Sequence, residues 1–244
     1  MNSGYYAACA GLRAQTQALE QVANNVANVN TNGYLSQQPT FRSLIAIKFG
    51  VPVTPLTAAI NNFNVLGGTR LDLSPGNLQA TGNTLDLAIE GNGFFVARTP
   101  NGPLYTRNGS FRLSPQGQLI TVDGDPVLGE EGPLILPSGQ VSVSADGTIS
   151  VEGAVVGKLR VVEFVPDSAP TPVGSSYYDM PDNGVRAATS AYVRQGMVEA
   201  SNVNPVMSVM DLIAVQRYAD MLQRALSAYY SDFNRIAAQD LPRV

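Results

Sequence analysis

Two stretches of the chain carry apolar residues at helical spacing, and the long segment between them alternates at strand spacing. In the first thirty residues Tyr5, Ala8, Leu12, Gln15, Leu19, Val22, Val26 and Val29 recur at intervals of three and four, with Gln15 the one polar member. This is the a/d row of a heptad repeat, which predicts a helix that packs lengthwise against another helix. The run Asn28-Val29-Asn30-Thr31-Asn32-Gly33 should end it, because Asn and Gly accept the left-handed conformation that closes helices. The last forty residues repeat the pattern at Leu212, Val215, Ala219, Leu222, Leu226, Tyr229, Phe233 and Ile236, all apolar. Pro205 suits the first turn of that helix, with Asn204 or Asn202 as its N-cap. A helix lying on a globular core would also show a stripe, but a strict period of about 3.5 residues over four heptads favours a coiled coil.

From Leu71 to Val193 the chain consists of short alternating runs broken by turn pairs such as Pro75-Gly76, Asn101-Gly102, Asn108-Gly109, Asp123-Gly124 and Asp146-Gly147. Asn-Gly and Asp-Gly meet the backbone demands of tight hairpins, and turns at this spacing predict an all-β barrel or sandwich. Residues 94–97, 118–122 and 158–164 read as strands, and 166–183, rich in proline, as a surface loop. Residues 36–70 fit neither pattern and read as an extended connector with one or two short strands. The expected fold is therefore α+β: paired N- and C-terminal coiled-coil helices with a central hairpin-rich all-β domain. Its parts are an assembly helix at 1–35, a connector at 36–70, a β body at 71–197 and a second assembly helix at 198–244. The pattern within 71–193 predicts a body that folds by itself.

Composition sharpens this picture mainly by exclusion. Charged residues make up 14% of the 244, against about 25% in an average soluble protein. Such a surface suits a protein covered by neighbours, and equally a secreted β-protein. A net charge of −4 without a basic stripe gives no footprint for nucleic acid. No apolar run reaches the roughly 20 residues of a membrane helix, and no cleavable signal pattern opens the chain. One cysteine rules out an internal disulfide. The absence of histidine removes the common nucleophile systems, the usual zinc sites and the commonest general base.

Each candidate for chemistry has a simpler reading. Gly91-Asn92-Gly93 lacks the third glycine of a dinucleotide loop, with Val96 in its place, and reads as a turn. The segment from Gly153 to Lys158 resembles a phosphate loop one residue short, followed by a β run, and reads as a hairpin. Asp123-Gly124-Asp125 runs into Pro126 without completing a calcium ligand series. Asp86 and Glu90 could supply a glycosidase pair, but alternation along a strand accounts for Asp86 better. Cys9 has no basic neighbour to activate it and reads as a small packing residue. The tyrosine pairs at 5–6, 177–178 and 229–230 could form an aromatic surface, but two of them fall on the helical stripes. No catalytic, cofactor or metal residue is assigned, and an enzyme is not expected. The rivals to a structural subunit are a carbohydrate-acting β-protein and a binding module that dimerises through its coiled coil.

The residues also resemble a known family. Ala23-Asn24-Asn25-Val26-Ala27-Asn28-Val29-Asn30-Thr31-Asn32-Gly33-Tyr34 is similar to the N-terminal signature A-N-N-L-A-N-x-N-T-x-G-[FY] of the axial proteins of the bacterial flagellum: rod, hook and hook-associated proteins. Val26 and Asn32 depart from it mildly. Glu199-Ala200-Ser201-Asn202-Val203-Asn204 resembles the family's E-x-S-N-V-N, and Met210 to Tyr218 its M-x-x-[LM]-I-x-x-Q-R-x-[FY], with Tyr218 one position early. Residues 76–95, 105–111 and 123–129 resemble the rod and hook subgroup, and the length and compact connector resemble its shorter rod proteins. The resemblance implies a structural subunit that polymerises with itself and other axial proteins into a torque-transmitting tube. It further implies export by the flagellar type III apparatus without a cleaved signal, and residence in the periplasm-spanning basal body. The motif residues carried over are Asn24, Asn25, Asn28, Asn30, Gly33, Ser201, Asn202, Asn204, Gln216 and Arg217. The expected assembly interface is Tyr5, Leu12, Leu19, Val22, Val26, Val29, Leu212, Val215, Leu222, Leu226, Tyr229 and Phe233. Asn24, Asn25 and Asn28 are expected to satisfy backbone groups where helices end, or to be ordinary C-cap residues.

Overall fold

Alternation along the strand Phe94–Thr99 sends Phe95 to one side and Phe94 and Val96 to the other, and both sides are buried. This strand therefore sits at the centre of the β body, with a separate apolar cluster on each face. The computed structural model describes residues 2–43, 64–165, 168–174 and 176–240, with side chains at all of these except 2–8, 10, 41–43, 64–68, 182, 229 and 232–240. Two helices, α1 (Asn2–Ala27) and α2 (Pro205–Asp240), flank the β-rich middle of an α+β chain. At about 1.5 Å per residue they are roughly 39 and 54 Å long. The chain divides into two units: 1–26, 37–70 and 204–244 form one, and 27–36 with 71–203 form the other.

In the β unit the described residues form an open assembly of small sheets, not the closed barrel that the turn spacing allowed. Its largest sheet has six antiparallel strands in the order Thr171–Val173, Tyr177–Asp179, Gly102–Thr106, Phe94–Thr99, Val161–Phe164, Val185–Ala187. A three-stranded sheet joins Val141–Val143, Thr148–Val151 and Ala154–Lys158. Closure fails because glycine turns keep many strands to two to five residues, too short to curl round an axis. One apolar cluster gathers Leu87, Ile89, Phe95, Phe111, Leu119, Ile149 and Leu159. The other gathers Leu35, Leu71, Phe94, Val96, Tyr105, Val162 and Tyr178.

Local readings fare differently. The 153–158 hairpin is present, its turn made by Glu152 at φ 52° and Gly153 at φ 85°, the left-handed pair of a type I′ turn. The continuous strand expected at 158–164 is broken instead. Leu159 donates to the Gly147 carbonyl at 2.9 Å and buries its side chain, so the chain turns a corner between two sheets. The surface loop expected at 166–183 holds an edge hairpin of the largest sheet, because Tyr177, Tyr178 and Met180 are buried. Its Pro172 lies on the outermost strand, where a missing N–H does no harm. The connector's strands Gln37–Ser43 and Asn64–Leu71 pair with each other, and residues 44–63 lie outside the description.

The β unit also takes in residues 27–36 and 194–203. Tyr192–Gln195 pairs with Leu87–Glu90, and Met197–Glu199 with Leu78–Ala80. A fragment of residues 71–193 lacks Met197–Glu199, half of Tyr192–Gln195, Leu35 and the partner of buried Arg107. We expect residues 27–203 to melt in one cooperative transition by circular dichroism. The 71–193 fragment should melt well below it or without a transition.

Candidate functional site

Along α2 the described side chains differ in burial by position. Leu212, Val215, Ala219, Leu222 and Leu226 are half-buried, whereas every other described side chain from Pro205 to Ser231 is exposed, except buried Ser208. Tyr229 and Phe233 continue the row, with side chains outside the description. Off the seam the helix also exposes apolar residues: Met207 is 53% exposed, Met221 61%, and Ala214 and Ala228 are exposed as well. These four recur every seventh residue on the side of α2 turned away from the seam. Gln216 and Arg217 are exposed beside them.

On α1 the buried row is turned from the expected one. Ala14, Ala18, Val22 and Asn25 are buried, while Leu12, Leu19 and Val26 are only half-buried; the side chain of Tyr5 lies outside the description. Small side chains explain the shift, because they permit close approach. A Cβ on Gly11 would lie 3.6 Å from Leu222 Cδ1, and Gln15 donates from Nε2 to the Val215 carbonyl at 3.2 Å. The polar member of the seam thus bonds across to α2. Asn25 binds the connector strand on both edges of its amide, donating to the Gln37 carbonyl at 2.8 Å and accepting from Gln37 N at 2.9 Å. Asn24 is exposed, and Asn28 accepts from Thr31 Oγ1 at 3.1 Å in the turn that ends α1.

The remaining motifs converge inside the β unit. Gly33 stands at φ 68°, and a Cβ there would overlap the backbone of Asn108. Its N–H donates to the Glu199 carbonyl at 2.8 Å. Next to it Tyr34 and Leu35 are buried, and Leu35 N donates to the Tyr178 hydroxyl at 2.8 Å. Burial pushes the Tyr178 phenol well above the ordinary tyrosine range. Glu199 and Arg107, each 1% exposed, form an ion pair at 3.0 Å, and the other Glu199 oxygen accepts from Gly76 N at 2.8 Å. The Arg107 guanidinium lies 4.9 Å from the centre of the Phe94 ring. Removing one member of such a buried pair costs about 3–5 kcal/mol, since it strands the other charge.

Asn202 completes the junction. It accepts from Ser36 N at 2.7 Å and donates to the Asp72 and Ser74 carbonyls, both at 2.9 Å. It is therefore not the helix cap. That is Asn204, whose Oδ1 accepts from Val206 N and Met207 N at 3.1 Å. Ser201 accepts from Val203 N, while Val29 is half-buried and Asn30 exposed. Sequence reasoning passed over Arg107, Glu199, Gly76 and Tyr178 as site residues. Their signal was present, since each of the first three lies in a quoted motif. Of the carboxylates weighed for catalysis, Asp86 accepts from Thr81 and Asn83 in a turn, and Glu90 pairs with Arg194 at the surface. Among the described residues no helix is long and apolar enough to cross a membrane.

Three segments match flagellar families. Residues 6–34 match the flagella basal body rod protein family, 88–151 the flagellar hook protein FlgE/F/G D1 domain, and 194–237 the flagellar basal body rod FlgEFG protein C-terminal family. Among similar proteins, the basal-body rod protein FlgG of Buchnera aphidicola subsp. Baizongia pistaciae is 32% identical, covering 89% of this chain and 92% of that one. The rod protein FlgF of Caulobacter vibrioides is 31% identical over the whole of both chains. The rod protein FlgF of Mesorhizobium japonicum is 31% identical over 89% of each.

Two substitutions test the local geometry. Gly33→Ala should destabilise the β unit by more than the roughly 1 kcal/mol of a strained left-handed alanine, because the Asn108 backbone must also move; denaturant melting reads this. Asn204→Ala should cost about 1 kcal/mol of α2 stability and leave the β unit's transition unchanged.

Proposed function

Since this chain belongs to the bacterial flagellar basal-body rod proteins, as a structural subunit of the FlgF or FlgG kind, we propose that it polymerises through α1 and α2 into a tubular drive shaft. One observation carries the mechanism: α2 has a row at Met207, Ala214, Met221 and Ala228 that is exposed among the described residues, on the side away from a seam only half covered. Fully burying a methionine side chain stabilises by roughly 1.5–3 kcal/mol, and in a helical lattice every subunit repeats the gain. On this reading residues 1–35 and 198–244 are the assembly segments, their seam closing into a coiled coil as neighbours pack round it. Leu12, Leu19 and Val26 of α1 then complete their burial against other subunits. Residues 71–197 form an outer body, and 36–70 tie it to the helices.

The subunit is a rod component of the basal body, and its family assembles with other axial flagellar proteins. Export by the flagellar type III apparatus without a cleaved signal, residence across the periplasm and a role without catalysis follow from that reading. FlgF is the preferred identity, supported by the short connector and by the end-to-end match to the Caulobacter protein. The FlgG alternative draws on a relative of equal similarity.

Met221→Asp places a carboxylate in the outward row and Leu222→Asp one in the seam. Both should abolish rod formation and motility while leaving the thermal transition of the β unit in place. Rods of normal length from both variants would remove the helices from the mechanism. Labelled subunits located along isolated basal bodies by electron microscopy should lie in the proximal rod if the chain is FlgF, and in the distal rod if it is FlgG.

A further inference from the structure

We propose that Glu199 couples the two ends of the chain, so that the N-terminal motif 30–36 stays seated on the β unit only while the C-terminal segment 197–203 is seated, and the reverse. Glu199 holds three separate segments at once. Its carboxylate pairs with Arg107 at 3.0 Å and accepts from Gly76 N at 2.8 Å, while its carbonyl accepts from Gly33 N at 2.8 Å. Asn202, three residues on, accepts from Ser36 N and donates to the carbonyls of Asp72 and Ser74. Glycine is required at both close approaches, since a Cβ on Gly76 would overlap the Ala200 carbonyl and one on Gly33 the Asn108 backbone.

The coupling runs through Arg107. Its guanidinium is 1% exposed, lies over Phe94, and has its Nε without a hydrogen-bond partner. Glu199 supplies its counter-charge. When the C-terminal segment lifts away, an unpaired cation is left in an apolar setting, and Arg107 must leave its position. Asn108, the next residue, forms the wall against which Gly33 sits, so the seat of the N-terminal motif opens with it. The β unit thus has two arrangements, both ends in or both ends out. A chain made from its N-terminus forward cannot complete this unit until Glu199 has been added. The inference concerns the single subunit and stands whether or not the subunit assembles.

The test is residue-resolved amide exchange by NMR on the dilute full-length chain. Glu199→Gln keeps the shape and removes the charge. Exchange at Leu35, which is bonded to Tyr178 and not to Glu199, should accelerate by about tenfold or more, with Leu119 and Val127 in the other core unchanged. Leu35 exchanging at the wild-type rate would overturn the coupling. Should Glu199→Gln open the whole unit, with Leu119 accelerating equally, Tyr178→Phe decides the matter from the other side. It removes the hydroxyl that Leu35 N binds and leaves Glu199 untouched. Coupling free energies are reciprocal, so Gly76, bonded to Glu199, should then accelerate as well. A Gly76 rate unmoved while Leu35 accelerates would show that the two ends seat independently, and the proposal would be wrong.

Discussion

Among the described side chains, α2, a helix of about 54 Å, is covered along a single row and exposed nearly everywhere else, and the proposed assembly depends on that condition. An isolated helix gains little from its own hydrogen bonds, because nucleation is costly and water competes for every group. Packing must stabilise it, and here the intramolecular share of that packing is small. The seam of α2 is half covered, and its opposite side carries methionine and alanine at seven-residue intervals, with Arg217 and Arg224 interleaved. Methionine suits such a surface, since its unbranched side chain adapts to whatever neighbour arrives.

The junction around Arg107, Glu199 and Asn202 anchors both chain ends of the β unit. The segments leading out of α1 and into α2 lie side by side there, held by backbone bonds, one buried ion pair and two glycines that allow close contact. Force reaching either segment is therefore received by a packed core and not by a loose linker. The buried pair contributes specificity of register more than net stability, since desolvating two charges offsets much of their attraction. Of the aromatic groups behind it, Phe94 has its ring centre 4.1 Å from that of Phe164 and 5.8 Å from that of Tyr178.

Much of this was legible in the sequence because it rests on local rules. The heptad rows gave both helices, Asn204 and Pro205 marked the start of α2, and Asn101-Gly102, Asp123-Gly124 and Asp146-Gly147 marked turns, although Asn108-Gly109 did not. What was not legible depends on distant parts of the chain meeting. Nothing in the run 158–164 reveals that Leu159 turns inward to bond Gly147, so two strands read as one. Proline content suggested a loop at 166–183, yet Tyr177 and Tyr178 fix a hairpin there by burial. On α1 the large side chains Leu12 and Leu19 drew the seam, whereas the buried positions include Ala14 and Ala18, which carry little hydropathy. Gly33 was found as a letter in a motif; its bond to the buried Glu199 required the fold.

Amide exchange in the two helices, compared between the dilute free subunit and the assembled rod, tests the central claim most directly. In the free subunit α1 and α2 should exchange fast while the two cores of the β unit exchange slowly, because the helices lack most of their packing. In the rod both helices should become as protected as the cores or more so. Full protection of both helices in the dilute subunit would mean that they already satisfy each other within one chain. Polymerisation would then have lost its driving force, and the account would be wrong.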